Sequence, residues 1–281
     1  MMGRWKKLGI IAGAGRLPSL IAAACASKNE SFCVVRLKGL AAEALAEFPG
    51  DECGLAELGR IIRYLKSENC DAVVFAGLVK RPDFAQLKPD WRGAALLPKV
   101  VAAARRGDGA ILAALVESFE GEGFIVTACE EIVQGLAAKT GALGGLAPDE
   151  TDFTDMKKAA ALIAAMGSFD VGQGVVIAQG HVLAIEAAEG TDAMLERCAA
   201  MRLGESRAGI LLKRPKPGQE LRVDLPTIGP ETVRRAARAN LAGIAIEAGV
   251  GLVIDAEETA READRLGLFV YGFEDREVRG P

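Results

Sequence analysis

Leu8–Gly9–Ile10–Ile11–Ala12–Gly13–Ala14–Gly15–Arg16–Leu17–Pro18 is the stretch whose reading decides the fold. A short apolar run meets a glycine turn, and a segment rich in Ala, Leu and Ile follows over 18–27. Arg4, Lys6 and Lys7 ahead of it lend the run a superficial likeness to a secretory signal. Arg16 and Pro18 interrupt the apolar run early and glycines dilute it, so it reads as a first β-strand turning into a helix.

The same grammar continues outward. Runs over 32–37, 71–76 and 124–128 read as strands, and 55–66, 96–105 and 109–120 as helices. Apolar runs of this length alternating with helices predict a Rossmann-like parallel sheet over 1–140, with ligands collecting at the carboxyl ends of its strands. Thr140–Gly141–Ala142–Leu143–Gly144–Gly145–Leu146–Ala147–Pro148 breaks the rhythm, so 141–150 reads as a linker. Over 151–281 the pattern changes. A helix over 153–166 precedes a hairpin, 174–178 and 182–187, around Gln179–Gly180–His181. A helix over 192–202, a strand over 210–213, a helix over 231–242, a second hairpin across Gly249–Val250–Gly251, a helix over 256–266 and a strand over 268–271 complete it. Strands of mixed direction with helices between them predict a separate α+β domain.

Composition narrows the function. The 281 residues are 50% apolar and 26% charged, which suits a globular chain with room for two cores. A net charge of −4 and a pI near 5.4 provide no field for nucleic acid, so an anionic ligand must be met by local cations. The six cysteines, at 25, 33, 53, 70, 129 and 198, show no C-x-x-C spacing and suit a reducing cytoplasm. No uncharged apolar stretch reaches the roughly 18 residues a membrane span needs.

Local motifs each carry a functional and a structural reading. Gly13, Gly15, Arg16 and Leu17 lie where a helix N-terminus favours an anion, although Pro18 breaks the full G-x-G-x-x-G. The same glycines also suit a tight turn needed only for its backbone. That broken fingerprint disfavours a nucleotide-dependent oxidoreductase. Lys80 follows the third strand at the same sheet edge, facing phosphate or simply solvent. Glu186–Ala187–Ala188–Glu189–Gly190–Thr191–Asp192 sets three carboxylates and a hydroxyl around a glycine. Such oxygens suit Mg²⁺, and Thr191 or Asp192 also suits a helix cap. Lys213–Arg214–Pro215–Lys216–Pro217 holds cations on a stiffened loop suited to a diphosphate. His181 is the sole histidine, and neither a G-x-S-x-G elbow nor a P-loop is present, so hydrolysis would rest on carboxylates and a hard divalent cation.

Val223–Asp224–Leu225–Pro226–Thr227–Ile228–Gly229–Pro230 closes this series: a strand-like run ends in a carboxylate and the backbone is then locked before a helix. A capping turn and a metal- or water-holding carboxylate are the two readings.

Resemblance adds what spacing does not. The 9–18 stretch, Asp170–Val171–Gly172–Gln173, the 184–194 segment, Asp224–Leu225–Pro226–Thr227–Ile228–Gly229–Pro230 and Gly243–Ile244–Ala245–Ile246–Glu247–Ala248–Gly249 together resemble the LpxI family, bacterial UDP-2,3-diacylglucosamine pyrophosphatases of lipid A biosynthesis. The resemblance implies Mg²⁺-dependent hydrolysis of UDP-2,3-diacylglucosamine to UMP and 2,3-diacylglucosamine 1-phosphate (lipid X), with water attacking the sugar-side phosphorus. It implies Asp224 as the catalytic residue and substrate held between an N-terminal Rossmann-like domain and a distinct C-terminal one. The expected metal ligands are Asp224, Glu189 and Asp192. The expected substrate contacts are Gly13, Gly15, Arg16, Leu17, Lys80, Thr191, Lys213, Lys216 and Thr227. An acylated substrate implies a cytoplasmic protein in transient contact with the inner-membrane surface. A non-catalytic carrier or sensor of nucleotide-linked lipid is the competing expectation. The oligomeric state is written in none of these motifs.

Overall fold

The computed structural model describes residues 5–79, 88–104, 107–201 and 206–279. It divides into two compact units, Met1–Gln134 with Arg222–Asp224, and Gly135–Leu221 with Leu225–Pro281.

The first unit is built on β1 (Leu8–Ala12), β2 (Phe32–Leu37), β3 (Gly50–Cys53), β4 (Ala72–Ala76) and β5 (Ile125–Val126), all parallel, in the order β3-β2-β1-β4-β5. Helices α1 (Leu17–Ser27), α2 (Leu58–Ser67), α3 (Trp91–Ala104), α4 (Asp108–Gly121) and α5 (Cys129–Ile132) link or follow the strands. Side chains on alternate strand positions separate the sheet into two faces. Ile11, Cys33, Val35, Leu37 and Val73 pack with Ile61, Leu65 and Phe119 from α2 and α4. The strand order reverses beside β1, where Ala14 and Leu78, in the loops after β1 and β4, form an antiparallel bridge. This is the sheet edge that gathers ligands in open α/β folds.

The second unit holds β6 (Gly141–Ala142), α6 (Glu150–Met166), β7 (Gly174–Ala178), β8 (His181–Ile185), α7 (Gly190–Ala200), β9 (Ile210–Lys213), β10 (Thr227–Ile228), α8 (Pro230–Arg238), β11 (Gly243–Glu247), β12 (Leu252–Val253), α9 (Ala256–Leu266), β13 (Phe269–Phe273) and α10 (Asp275–Val278). Its main sheet runs β6-β13-β11-β9-β7-β8. Strands β9, β11 and β13 are parallel, while β6, β7 and β8 each meet a neighbour antiparallel, so the sheet is mixed as expected. One face packs Val176, Leu211, Ile244 and Val270 with Met194, Val233 and Ala263 of α7, α8 and α9. The other packs Val175, Ile177, Ile210 and Leu212 with Met156 and Ile163 of α6.

Several sequence expectations change. Gly141–Ala142, expected in a linker, pairs with β13 inside the second unit, and the division falls earlier, after Gln134. The second hairpin does not form: β12 leaves the main sheet and pairs in parallel with β10 instead. The run before Asp224 is a turn rather than a strand. Asp224 itself, expected on the second domain, is grouped with the first unit. The cause lies in its neighbours. Val223 packs against the first unit's core, and the Arg222 guanidinium donates to Glu120 Oε1 of α4 at 2.6 Å.

Candidate active site

Strand direction brings most of the quoted motifs of the second unit to one sheet edge. The parallel strands β9 and β11 end at Lys213 and Glu247, and β13 runs on into Glu274 and Asp275. Strand β7 is antiparallel to β9, so its start, Gly174, lies opposite Lys213, and the backbone N–H of Arg214 donates to the carbonyl of Gln173 at 3.1 Å. Strand β8 turns back along β7 and delivers Glu186, whose N–H donates to the Gly174 carbonyl at 2.8 Å.

At this edge Thr191, Lys213 and Thr227 meet. Lys213 is only 4% exposed. Its Nζ donates to Thr191 Oγ1 at 2.7 Å and to the Thr227 carbonyl at 3.4 Å. The Thr191 hydroxyl in turn donates to Glu186 Oε1 at 2.9 Å. Glu186 is 8% exposed, and its Oε2 lies 4.0 Å from Lys213 Nζ without a hydrogen-bond partner. Helix α7 begins at Gly190 after Glu189, and no side chain caps it. The Thr191 hydroxyl therefore serves Glu186 and Lys213 rather than the helix end.

Beside this cluster the cations are paired. Lys216 Nζ bonds Asp170 Oδ1, and its backbone N–H donates to Gln219 Oε1 at 2.9 Å. Arg214 pairs with Glu247 at 3.1 Å and Asp275 at 3.0 Å. Burial pushes the Glu247 carboxyl above its ordinary range, against the pull of Arg214. A cleft of about 260 Å³ is lined by Arg214, Lys216, Gln219 and Glu247 with Pro215, Pro217 and Leu221. Charge of both signs at this edge suits neutralising and orienting a polar, anionic group more than binding an apolar one.

Glu189 and Asp192 are engaged elsewhere. Glu189 Oε1 accepts from Arg197 at 2.5 Å, and a hydrogen bond from its own backbone N–H, then Arg197, holds its carboxyl below the ordinary range. Asp192 is exposed and lies 3.5 Å from Arg235. Among the described residues no group of three or more His, Cys, Asp or Glu side chains is arranged to hold a metal. Mg²⁺ takes one or two carboxylates together with the phosphates of a substrate.

In the first unit, Asp224 is half-buried, in the loop that follows the turn carrying Arg222 and Val223. Gly13, Gly15, Arg16 and Leu17 lie at the carboxyl end of β1. The Gly13 N–H donates to the Ala76 carbonyl at 2.8 Å and the Ala14 N–H to that of Leu78 at 2.9 Å, so both are already spent within the sheet edge. Gly15 and Arg16 are exposed and Leu17 is buried. Lys80 lies outside the described residues.

Glu186 is the residue that the sequence reading did not single out from its segment. The sequence reading runs the strand through 187 and so leaves Glu186 inside it, whereas β8 ends at Ile185 and frees the carboxylate to meet Thr191 and Lys213.

Residues 7–136 match the LpxI N-terminal domain and 139–271 the LpxI C-terminal domain. The chain is 47% identical over 277 residues to "UDP-2,3-diacylglucosamine pyrophosphatase LpxI" of Caulobacter vibrioides, covering 97% of this chain and 99% of that protein. The chain belongs to the LpxI family. The family's N-terminal domain thus carries the parallel sheet and its C-terminal domain the mixed sheet and the Glu186–Thr191–Lys213 cluster. Among solved structures, "CobK precorrin-6A reductase" overlaps 94% of this chain and 86% of its own at 13% identity. Its TM-score of 0.33 is too low to bear on fold or function.

Proposed function

We propose that the chain hydrolyses the pyrophosphate bond of UDP-2,3-diacylglucosamine in lipid A biosynthesis. Water adds to one phosphorus, the bridging P–O bond breaks, and UMP and 2,3-diacylglucosamine 1-phosphate (lipid X) leave. The full-length relationship to the Caulobacter pyrophosphatase, across both family domains, is the observation that carries this reading.

The chemistry suits the residues. Pyrophosphate hydrolysis needs charge neutralisation and an aligned water more than a strong nucleophile. Asp224 is the proposed catalytic carboxylate, and the attacked phosphorus is the sugar-side one. Mg²⁺, when bound, would be held by Asp224 and the substrate's phosphates and would withdraw charge from the diphosphate. Lys213, buried at the sheet edge, supplies fixed positive charge beside Thr191 and Thr227. Lys216 would release Asp170 to reach a phosphate oxygen. Gly15 and Arg16 offer the first unit's contact with an anion, at a helix N-terminus.

No helix among the described residues is long and apolar enough to cross a membrane. The reading places a cytoplasmic enzyme in transient contact with the inner-membrane surface, because its substrate carries two acyl chains.

The test is direct. Purified protein with UDP-2,3-diacylglucosamine and Mg²⁺ releases UMP and lipid X, and chelation with EDTA stops release. Asp224→Ala lowers turnover by about 100-fold or more, the scale of removing one group that stabilises transition-state charge. Substrate recovered intact from the wild-type protein would instead identify a carrier or sensor. Near-native turnover by Asp224→Ala would remove Asp224 from the mechanism.

A further inference from the structure

Glu186 has a place in the second unit that packing alone does not require. Its carboxylate is buried at the end of β8, and Gly174 makes room for it: a Cβ on Gly174 would lie 2.4 Å from Glu186 Oε2.

The direction of the hydrogen bonds follows from the groups themselves. An ammonium only donates, an ionised carboxylate only accepts, and a threonine hydroxyl has a single proton to give. Lys213 therefore donates to Thr191, and Thr191 passes its own proton toward Glu186. A buried ammonium without a counter-charge is costly. Among the described residues, the carboxylate within ion-pair reach of Lys213 is Glu186, whose Oε2 lies 4.0 Å from Nζ.

The chain is anchored at its far end on the loop that follows Asp224. The carbonyls of Pro226 and Ile228 accept from Leu252 N–H at 2.8 Å and Ile254 N–H at 2.9 Å, on the β12 side. The Leu225 carbonyl accepts from the Thr227 hydroxyl at 3.0 Å. Adjacent carbonyls in an extended strand point opposite ways. That of Thr227 accordingly turns from β12 and is met by Lys213.

We infer that Glu186 is a positioning residue: through Thr191 and Lys213 it fixes the backbone at Thr227, three residues after Asp224. This rests on the reading of Asp224 as the catalytic carboxylate. Fixing one end of a short, proline-stiffened loop limits where the carboxylate at its start can sit.

The experiment compares full-length wild type, Glu186→Gln, Thr191→Val and Thr191→Ser. Each is assayed for steady-state hydrolysis of UDP-2,3-diacylglucosamine and for amide hydrogen exchange. Glu186→Gln and Thr191→Val lower kcat by about 100-fold, the scale of a 1 Å misplacement, and KM stays near wild type in Glu186→Gln, where the altered residue is not itself a proposed substrate contact. Exchange quickens over 225–229 and is unchanged in peptides of the first unit's core, which separates loosening from unfolding. Thr191→Val is nearly isosteric, so it keeps the test alive if Glu186→Gln does not fold. Thr191→Ser keeps the hydroxyl and restores both readouts. Unchanged exchange over 225–229 in the folded variants overturns the inference whatever the activity. Faster exchange with wild-type kcat overturns the positioning role. An inert wild type, or an active Asp224→Ala, is instead a failure of the proposed function, and the exchange result still judges the chain from Glu186 to Thr227.

Discussion

Gly77 shows how much a single residue fixes at the first sheet's edge. Its φ is +87°, and a Cβ there would lie 2.4 Å from the Ala14 carbonyl oxygen. The bridge between Ala14 and Leu78 leaves no room for a side chain between the two loops. Gly77→Ala therefore destabilises the folded state by about 1–3 kcal/mol, the cost of a strained backbone position, read as a lower urea midpoint. The glycines of the first loop were legible as a turn after a strand, and the close approach to β4 was not. The same limit applies to Lys213. Its sequence context marked it as a cation on a stiff loop, but burial and its bond to Thr191 depend on strands distant in sequence. Glu186 was passed over for that reason. A carboxylate becomes distinctive only when an ammonium is brought beside it.

Helices α8 and α9 are the elements whose sequence pattern matched their place most closely. Each buries a narrow face, Val233 and Ala236 on α8 and Thr259 with Ala263 on α9, and most of the remaining residues are charged. Pro230 at the first helical position suits the entry to α8, since the amide it lacks has no partner in a first turn. The charged faces are joined: Glu262 accepts from Arg265 at 2.8 Å within α9 and from Arg234 of α8 at 2.8 Å. Arg265 first, and Arg234 second, pull the Glu262 carboxyl down to about 2. Its folded value lies below the unfolded one of ~4.3, so its contribution is present above that pH and is lost as pH falls toward about 2. Glu262→Gln should lower the urea midpoint at pH 7, and the gap from wild type should close as the pH approaches 2. The β10–β12 pair is the opposite case. Two-residue strands lack a periodicity to read, so Leu252–Val253 looked like the return arm of a hairpin until its partner was seen to be Thr227–Ile228.

At the scale of the molecule, two units each carry their own core, and the six thiols are divided between them. All six cysteines are buried and unpaired. Burial pushes the thiols of Cys25 and Cys53 up to about 11 and that of Cys129 to about 12, which leaves little thiolate there. The Cys70 thiol, 3.4 Å away, draws that of Cys33 down instead, so Cys33 is shielded by its complete burial alone. The folded protein should react slowly with a thiol reagent, and guanidinium should release all six thiols without prior reduction; fewer than six would reveal a disulfide. By itself the sequence determined the parallel first sheet, the mixed second one and the family. Apolar runs with period and length, and motifs in order, are local properties that survive without contacts. Tertiary structure alone decided that Asp224 is grouped with the first unit, that Glu189 and Asp192 pair with arginines, and that Glu186, Thr191 and Lys213 meet. The physical reason is common to all three. Burial and charge pairing are properties of neighbours in space, and β8, β9 and the loop at Thr227 become neighbours only when the second sheet and its flanking loops have formed.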